Sequence, residues 1–172
     1  IAGTETYSKE TLEQLSNLKV ISRLGVGLDN IDIEQAKTQN IQILNTKTSP
    51  APAVAELTLG LILDILRKIS LQNSALKSGT WEKNMGELFF GKTLGIIGLG
   101  TIGKKLVEIT KGLDLRYLAY DIQKDESFSQ EYDVHYADFE ELLQNADIIC
   151  LHLNLSSKTH HLIDYSAFKK MK

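Results

Sequence analysis

Gly98-Leu99-Gly100-Thr101-Ile102-Gly103 is the segment of this sequence whose residue types and spacing are best suited to chemistry. It follows an apolar run, Leu94-Gly95-Ile96-Ile97, that reads as a strand, and it opens a stretch, Ile102–Lys111, with helical periodicity. In that setting each glycine has its own task. The first permits a tight turn, the second lets a pyrophosphate approach the backbone, and the third lets helix and strand pack closely. The helix N-terminus then offers free N–H groups to the phosphates. Asp121 stands 18 residues beyond Gly103, at the end of the next predicted strand, where a carboxylate can accept hydrogen bonds from ribose hydroxyls. A 2′-phosphate would meet a like charge there. No arginine follows and only Lys124 could offset it, so the pattern favours NAD over NADP.

Other motifs fail on context. Gly86-Glu87-Leu88-Phe89-Phe90-Gly91-Lys92-Thr93 fits the Walker A pattern, but that loop must lead into a helix and this one leads into a strand. Tyr165 and Lys169 have the Tyr-x-x-x-Lys spacing of short-chain dehydrogenases, without that family's glycine pattern or its long interval before the tyrosine. His160-His161 suggests a metal, but adjacent strand residues point to opposite faces and no cysteine or carboxylate set lies nearby, so the pair reads as loop or surface. Cys150, inside Ile148-Ile149-Cys150-Leu151, reads as core. His152 falls near the carboxyl end of that strand, where open α/β sheets bind ligands, with no acid to make it a general base.

The elements that must position these residues fall into two series divided by Pro50 and Pro52. Before them, Ile1-Ala2-Gly3 reads as the end of a strand. Ser8 caps a helix carrying Leu12 and Leu15, and Val20-Ile21-Ser22, Ile33–Gln39 and Ile41–Leu44 read as strand, helix and strand. After the prolines, a helix capped by Ser49 is expected to run to about Lys77 and stop at Gly79. Its apolar residues cover more than one stripe, which predicts cover from a second subunit or domain, with Leu57, Leu61 and Ile65 as contacts, the alternative being a core helix of one domain. From Thr93 strands and helices alternate again: strands Leu94–Gly98, Arg116–Asp121, near Val134 and Ile148–Leu153, helices Phe139–Asn145 and Tyr165–Met171. Alternation of this kind predicts an α/β fold with a parallel sheet.

Composition narrows the classes of partner. With 19 Lys+Arg against 22 Asp+Glu the net charge is −3, which supplies no basic footprint for nucleic acid or an anionic membrane. The apolar stretch Leu57–Leu66 is interrupted by Asp64 and too short to span a bilayer. One cysteine permits no internal disulfide, and a cytoplasmic setting is the expectation.

Taken together, these residues resemble the D-isomer-specific 2-hydroxyacid dehydrogenases, most closely the D-3-phosphoglycerate dehydrogenase branch. The resemblance is carried by Ile21–Asp32, Asn45-Thr46, Ala55–Thr58, Gly91–Gly103, Ala146–Leu153 and Thr159–Ile163. It implies a Rossmann-type nucleotide-binding domain (49–172, with a dimerisation helix over about 52–78) and part of a flavodoxin-like substrate domain (1–48). The active site would lie in the cleft between them. By the same resemblance the Val26-Gly27 backbone binds the substrate carboxylate, Val26 also borders the nicotinamide, and Arg23 lines the cleft. Gly98, Gly100, Thr101, Ile102, Gly103, Asp121, His152 and Leu153 line the NAD, and the protein is a homodimer acting on a small 2-hydroxy or 2-oxo acid.

The family's catalytic Arg, Glu and His match no residue here, so the 172-residue piece alone is expected to be inactive. A non-catalytic NAD(H)-binding regulatory module and an inert truncated product are the alternatives. Gly3-Thr4 falls where phosphoglycerate enzymes carry a phosphate-binding arginine, which argues against phosphoglycerate as substrate.

Overall fold

Short apolar runs separated by capped turns become short parallel strands crossed by helices. In the computed structural model, which describes residues 1–172, they form two compact units, Ile1–Ser49 and Pro50–Lys172.

In the first unit the order is α1 (Lys9–Gln14), β1 (Val20–Arg23), α2 (Ile33–Thr38) and β2 (Gln42–Asn45). The strands are parallel, with Arg23 opposite Asn45. Ser8 accepts the Thr11 N–H at 3.3 Å and Asp32 the Gln35 N–H at 2.9 Å, the side-chain caps that start α1 and α2. Leu12, Ile21, Ala36 and Ile41 close a small core. The strand expected at Ile1-Ala2-Gly3 is reduced to a single bridge between Ala2 and Arg23.

The second unit contains α3 (Ala51–Arg67), α4 (Ile69–Lys77), β3 (Thr93–Ile97), α5 (Thr101–Thr110), β4 (Arg116–Tyr120), α6 (Glu126–Tyr132), β5 (Val134–Tyr136), α7 (Phe139–Asn145), β6 (Ile148–Leu151) and α8 (Tyr165–Lys170). Its sheet is fully parallel in the order β5-β4-β3-β6, so β3 is central. A central parallel strand is covered on both faces and must be apolar throughout. Leu94 and Ile96 accordingly pack on one side with Leu106 and Val107 of α5 and Ala55 and Ile62 of α3. Ile97 packs on the other side with Leu142 and Ala146. Gly95 shares that second face. A Cβ there would stand 2.7 Å from the Ala146 Cβ and 2.8 Å from a Leu142 methyl, so α7 lies directly on the strand backbone.

Two expectations are corrected. The helix expected over about 52–78 is two helices, broken at Lys68, which takes a left-handed conformation (φ 54°). The Asp64 carboxylate captures the Ser70 N–H and hydroxyl, each at 2.6 Å, and the Leu66 carbonyl accepts the Glu87 N–H at 2.8 Å. These bonds substitute for the ladder at the break. Pro50 rather than Ser49 holds the cap position of α3 and gives no side-chain cap bond. Helix α6 was not anticipated. Its apolar signal is only the Phe128–Tyr132 pair, stacked at 4.4 Å, and Asp125 starts it by accepting the Phe128 N–H at 3.1 Å. No helix is long and apolar enough to cross a membrane.

Gly95→Val should lower the unfolding free energy by about 1–3 kcal/mol, the usual cost of forcing extra methyl groups into a filled core. Urea denaturation followed by circular dichroism reads this directly, and an unchanged midpoint would contradict the close packing of α7 on β3.

Candidate functional site

At the carboxyl end of β3 the chain turns sharply into α5, and the turn is tight because two of its positions have no room for a side chain. Gly98 adopts φ 96°, and a Cβ on it would stand 2.6 Å from the His152 carbonyl oxygen and 2.9 Å from a Leu153 methyl. At Gly103 a Cβ would stand 2.6 Å from the Gly98 carbonyl oxygen and 3.0 Å from an Ile96 methyl. Gly100 is different, since a Cβ there would meet nothing within 4 Å. It is the cap residue of α5, and no side chain closes the N–H groups of that helix's first turn. Helices α1, α2, α6, α7 and α8 are each closed by a Ser or Asp side chain. Open space in front of free helix N–H groups is the geometry that receives a phosphate.

Asp121 stands just past β4 and ties the neighbouring strand to this turn. One carboxylate oxygen accepts the Leu99 N–H at 2.7 Å and the other accepts the Gln123 N–H at 2.9 Å. Each oxygen retains lone pairs for a ribose hydroxyl. A cavity of about 660 Å³ opens at this point, bounded by Gly100, Thr101, Asp121 and the side chains of Lys104, Lys124 and Asp125. That volume lies within the range of small-molecule and cofactor sites, roughly 300–1,000 Å³. Thr101 is exposed and Ile102 half-buried on the first turn of α5.

The sequence-predicted cofactor residues Gly98, Gly100, Thr101, Ile102, Gly103, Asp121, His152 and Leu153 thus come together around one turn. His152 is half-buried, its Nε2 has no hydrogen-bond partner, and desolvation holds its pKa below the ordinary value of 6.5. It therefore stays neutral near pH 7 and carries no charge to the site. Strand β6 ends at Leu151 rather than Leu153, and His160 and His161 lie in a turn, as the loop reading expected. Their rings stack at 3.9 Å. Burial pushes the Cys150 thiol up to about 11, so it is a core group and not a nucleophile.

The other predicted residues lie in the first unit, on the loop after β1. Val26 and Gly27 are exposed there. Their loop is held from β2: Thr46 accepts the Gly25 N–H through its hydroxyl and donates its own N–H to the Gly25 carbonyl, both at 3.0 Å. The Asn45 amide donates to the Val26 carbonyl at 2.7 Å. The Arg23 guanidinium lies across Gly25, in the space a Cβ would need, and donates to the Leu24 carbonyl at 2.5 Å. Gly25 (φ 142°) is the one residue that leaves it that room. The anchoring by Asn45 and Thr46, and the roles of Lys104 and Asp125 in the second unit, escape sequence reasoning. Each pair meets across about twenty residues with no local periodic signal.

Comparison with known proteins gives the class these features belong to. Residues 59–172 match the family described as D-isomer specific 2-hydroxyacid dehydrogenase, NAD binding domain. The chain belongs to that family, and its cofactor is NAD. It is 41% identical over its whole length to a hydroxypyruvate reductase of Thermotoga maritima, of which it covers 56%. It is also 37% identical over 99% of its length to a D-3-phosphoglycerate dehydrogenase of Methanocaldococcus jannaschii, of which it covers 33%. A D-lactate dehydrogenase from Aquifex aeolicus, crystallised with NAD and lactic acid, superposes with a TM-score of 0.88 at 28% identity. That match covers 99% of this chain and 52% of the other. The chain therefore spans about half the length of such relatives or less.

Asp121→Ala should weaken NADH binding by about 1–3 kcal/mol, the scale of losing a charged hydrogen-bond acceptor. It should also free the Leu99 N–H from its partner. Isothermal titration calorimetry reads the loss, and unchanged affinity would remove Asp121 from the site.

Proposed function

We propose that this chain is the cofactor half, with part of the substrate half, of an NAD-dependent oxidoreductase that interconverts a D-2-hydroxy acid and its 2-oxo acid. The single observation that carries the reading is the turn from β3 into α5. It is closed by two obligatory glycines, is uncapped at Gly100, and is tied through Leu99 to the Asp121 carboxylate. In this reading Gly98, Gly100 and Gly103 shape the turn, Thr101 and Ile102 present helix N–H groups to the pyrophosphate, and Asp121 holds the adenosine ribose. His152 and Leu153 line the same end of the sheet. NAD supplies or accepts the hydride, while the protein orients it. The N–H groups of Val26 and Gly27, both exposed residues, take the substrate carboxylate on a loop that Asn45 and Thr46 hold in place.

The substrate we favour is an unphosphorylated short oxo acid such as hydroxypyruvate or glyoxylate. At the position where a phosphate-binding arginine is expected, the Gly3 N–H donates to the Glu5 carboxylate at 2.7 Å. Bonds from its own and the Gly3 backbone N–H hold that carboxyl below its usual range, with the Arg23 guanidinium adding to the effect, so an anion that already draws on the nearby cation occupies the place where a phosphate would sit. The relative named hydroxypyruvate reductase supports the same choice. Assembly is proposed as a homodimer through α3. Ala55 and Ile62 of that helix are buried, whereas Leu57, Leu61 and Ile65 remain exposed and form an apolar strip suited to a subunit contact.

None of the four histidines (His135, His152, His160, His161) matches the family's proton donor. These residues should therefore bind NADH without turning over a 2-oxo acid, because hydride transfer also needs a general acid and a cation on the substrate oxygens. The experiment follows NADH absorbance with this chain and with the polypeptide of its full reading frame, each given hydroxypyruvate, glyoxylate and 3-phosphohydroxypyruvate. The expected result is NADH binding alone for the 172 residues, and for the full polypeptide oxidation with the two unphosphorylated acids in preference. Turnover by the 172-residue chain would show that the donor lies within it, and a preference for the phosphorylated acid would reverse the substrate choice.

A further inference from the structure

We propose that Asp125 is a second determinant of cofactor choice, acting on the cations of the adenosine cavity rather than on the ribose. The inference rests on the NAD reading of that cavity and goes beyond it. Asp121 alone repels a 2′-phosphate, but the cavity it faces is not poor in positive charge, since Lys104, Lys105 and Lys124 all line it. Two of the three are paired with carboxylates and the third rests on an aromatic ring. Lys105 is paired with Glu108 one turn along α5. Lys124 sits over the ring of Tyr136, 5.4 Å from its centroid. Lys104 sits between the Phe128 ring, at 5.3 Å, and the Asp125 carboxylate, at 2.5 Å.

Asp125 is the residue that organises this arrangement. Its N–H donates to the Tyr136 hydroxyl at 2.8 Å, which fixes the ring under Lys124. Its carboxylate also accepts the Ser127 hydroxyl at 2.7 Å and the Phe128 N–H at 3.1 Å, so it stays in place as the cap of α6. Donation from Lys104 and these bonds hold its carboxyl well below the usual carboxylate range. The anion therefore persists through the physiological range and cancels the Lys104 ammonium. A 2′-phosphate entering the cavity meets Asp121 and Asp125, with Glu108 and Glu126 also on the lining, and among the three lysines only Lys124 has no carboxylate partner. Removing the Asp125 charge while keeping its cap would leave Lys104 beside Lys124 as a second cavity cation with no paired carboxylate, and two such cations are what a phosphate needs.

The test is the ratio of NADPH to NADH affinity, measured by calorimetric titration on the 172-residue chain. Asp125→Asn keeps the capping oxygen and loses the charge. It should shift the ratio toward NADPH by at least tenfold, and the gain should shrink as salt is raised from 50 to 300 mM, as screening requires. Asp125→Ser, which caps through a hydroxyl, should do the same, so that a folding defect in one variant leaves the other decisive. Adding Lys104→Met to either variant should abolish the gain. An unchanged ratio in both single variants, or a gain that survives Lys104→Met, would overturn the proposal while leaving the NAD reading intact. Failure of the unmutated chain to bind NADH would overturn the NAD reading and this proposal with it.

Discussion

The turn between β3 and α5 has room only for hydrogen at two positions, and most of the second unit is arranged around that constraint. Gly98 runs against the His152 carbonyl and Gly103 against the Gly98 carbonyl, so β3, α5 and the segment after β6 meet at near backbone contact. The bond from Leu99 N–H to Asp121 then brings the end of β4 into the same place. Three consecutive pieces of the sheet's carboxyl edge are thereby fixed relative to one another before any ligand arrives. Preorganisation of this kind keeps the entropic cost of ordering a binding loop low. It also means that Asp121 holds the loop through Leu99, so a substitution there perturbs the turn as well as the ribose contact proposed for it.

How much of this was legible in the sequence depended on whether the signal was local. The glycine spacing, the apolar run of β3 and the acid at the end of β4 are consecutive features, and they were enough to place the turn and its carboxylate. Helix α1 was also legible, from the capping Ser8 and the apolar Leu12 and Leu15, and α7 was placed over Phe139–Asn145. What escaped was set by pairings across distant sequence. The break at Lys68 lies inside a stretch with continuous helical propensity and arises from Asp64 capturing Ser70 and from Glu87 crossing over the Leu66 carbonyl. Helix α6 has one apolar pair and depends on Asp125 and its partners. The loop carrying Val26 and Gly27 could be named by resemblance, but its rigidity comes from Asn45 and Thr46 on the next strand.

Helix α3 shows how a single element serves two surfaces. Its Ala55 and Ile62 side meets α5 and closes the core under the sheet, while Leu57, Leu61 and Ile65 face outward at 63%, 54% and 77% exposure. The multi-stripe pattern in the sequence therefore divides into a face that builds the fold and an exposed apolar face. Ala55 and Ile62 are buried on the inner face, and Leu59, Leu63 and Leu66 pack partly against the same core.

The central claim is that the turn at Gly98–Gly103 and the carboxylate of Asp121 together hold one NAD molecule. A crystal structure of this chain with NADH tests it most directly. The account predicts pyrophosphate oxygens within hydrogen-bond distance of the Thr101 or Ile102 N–H, and an adenosine ribose hydroxyl on Asp121, in the cavity beside Lys104. Cofactor density at any other place, with the turn left empty, would contradict it.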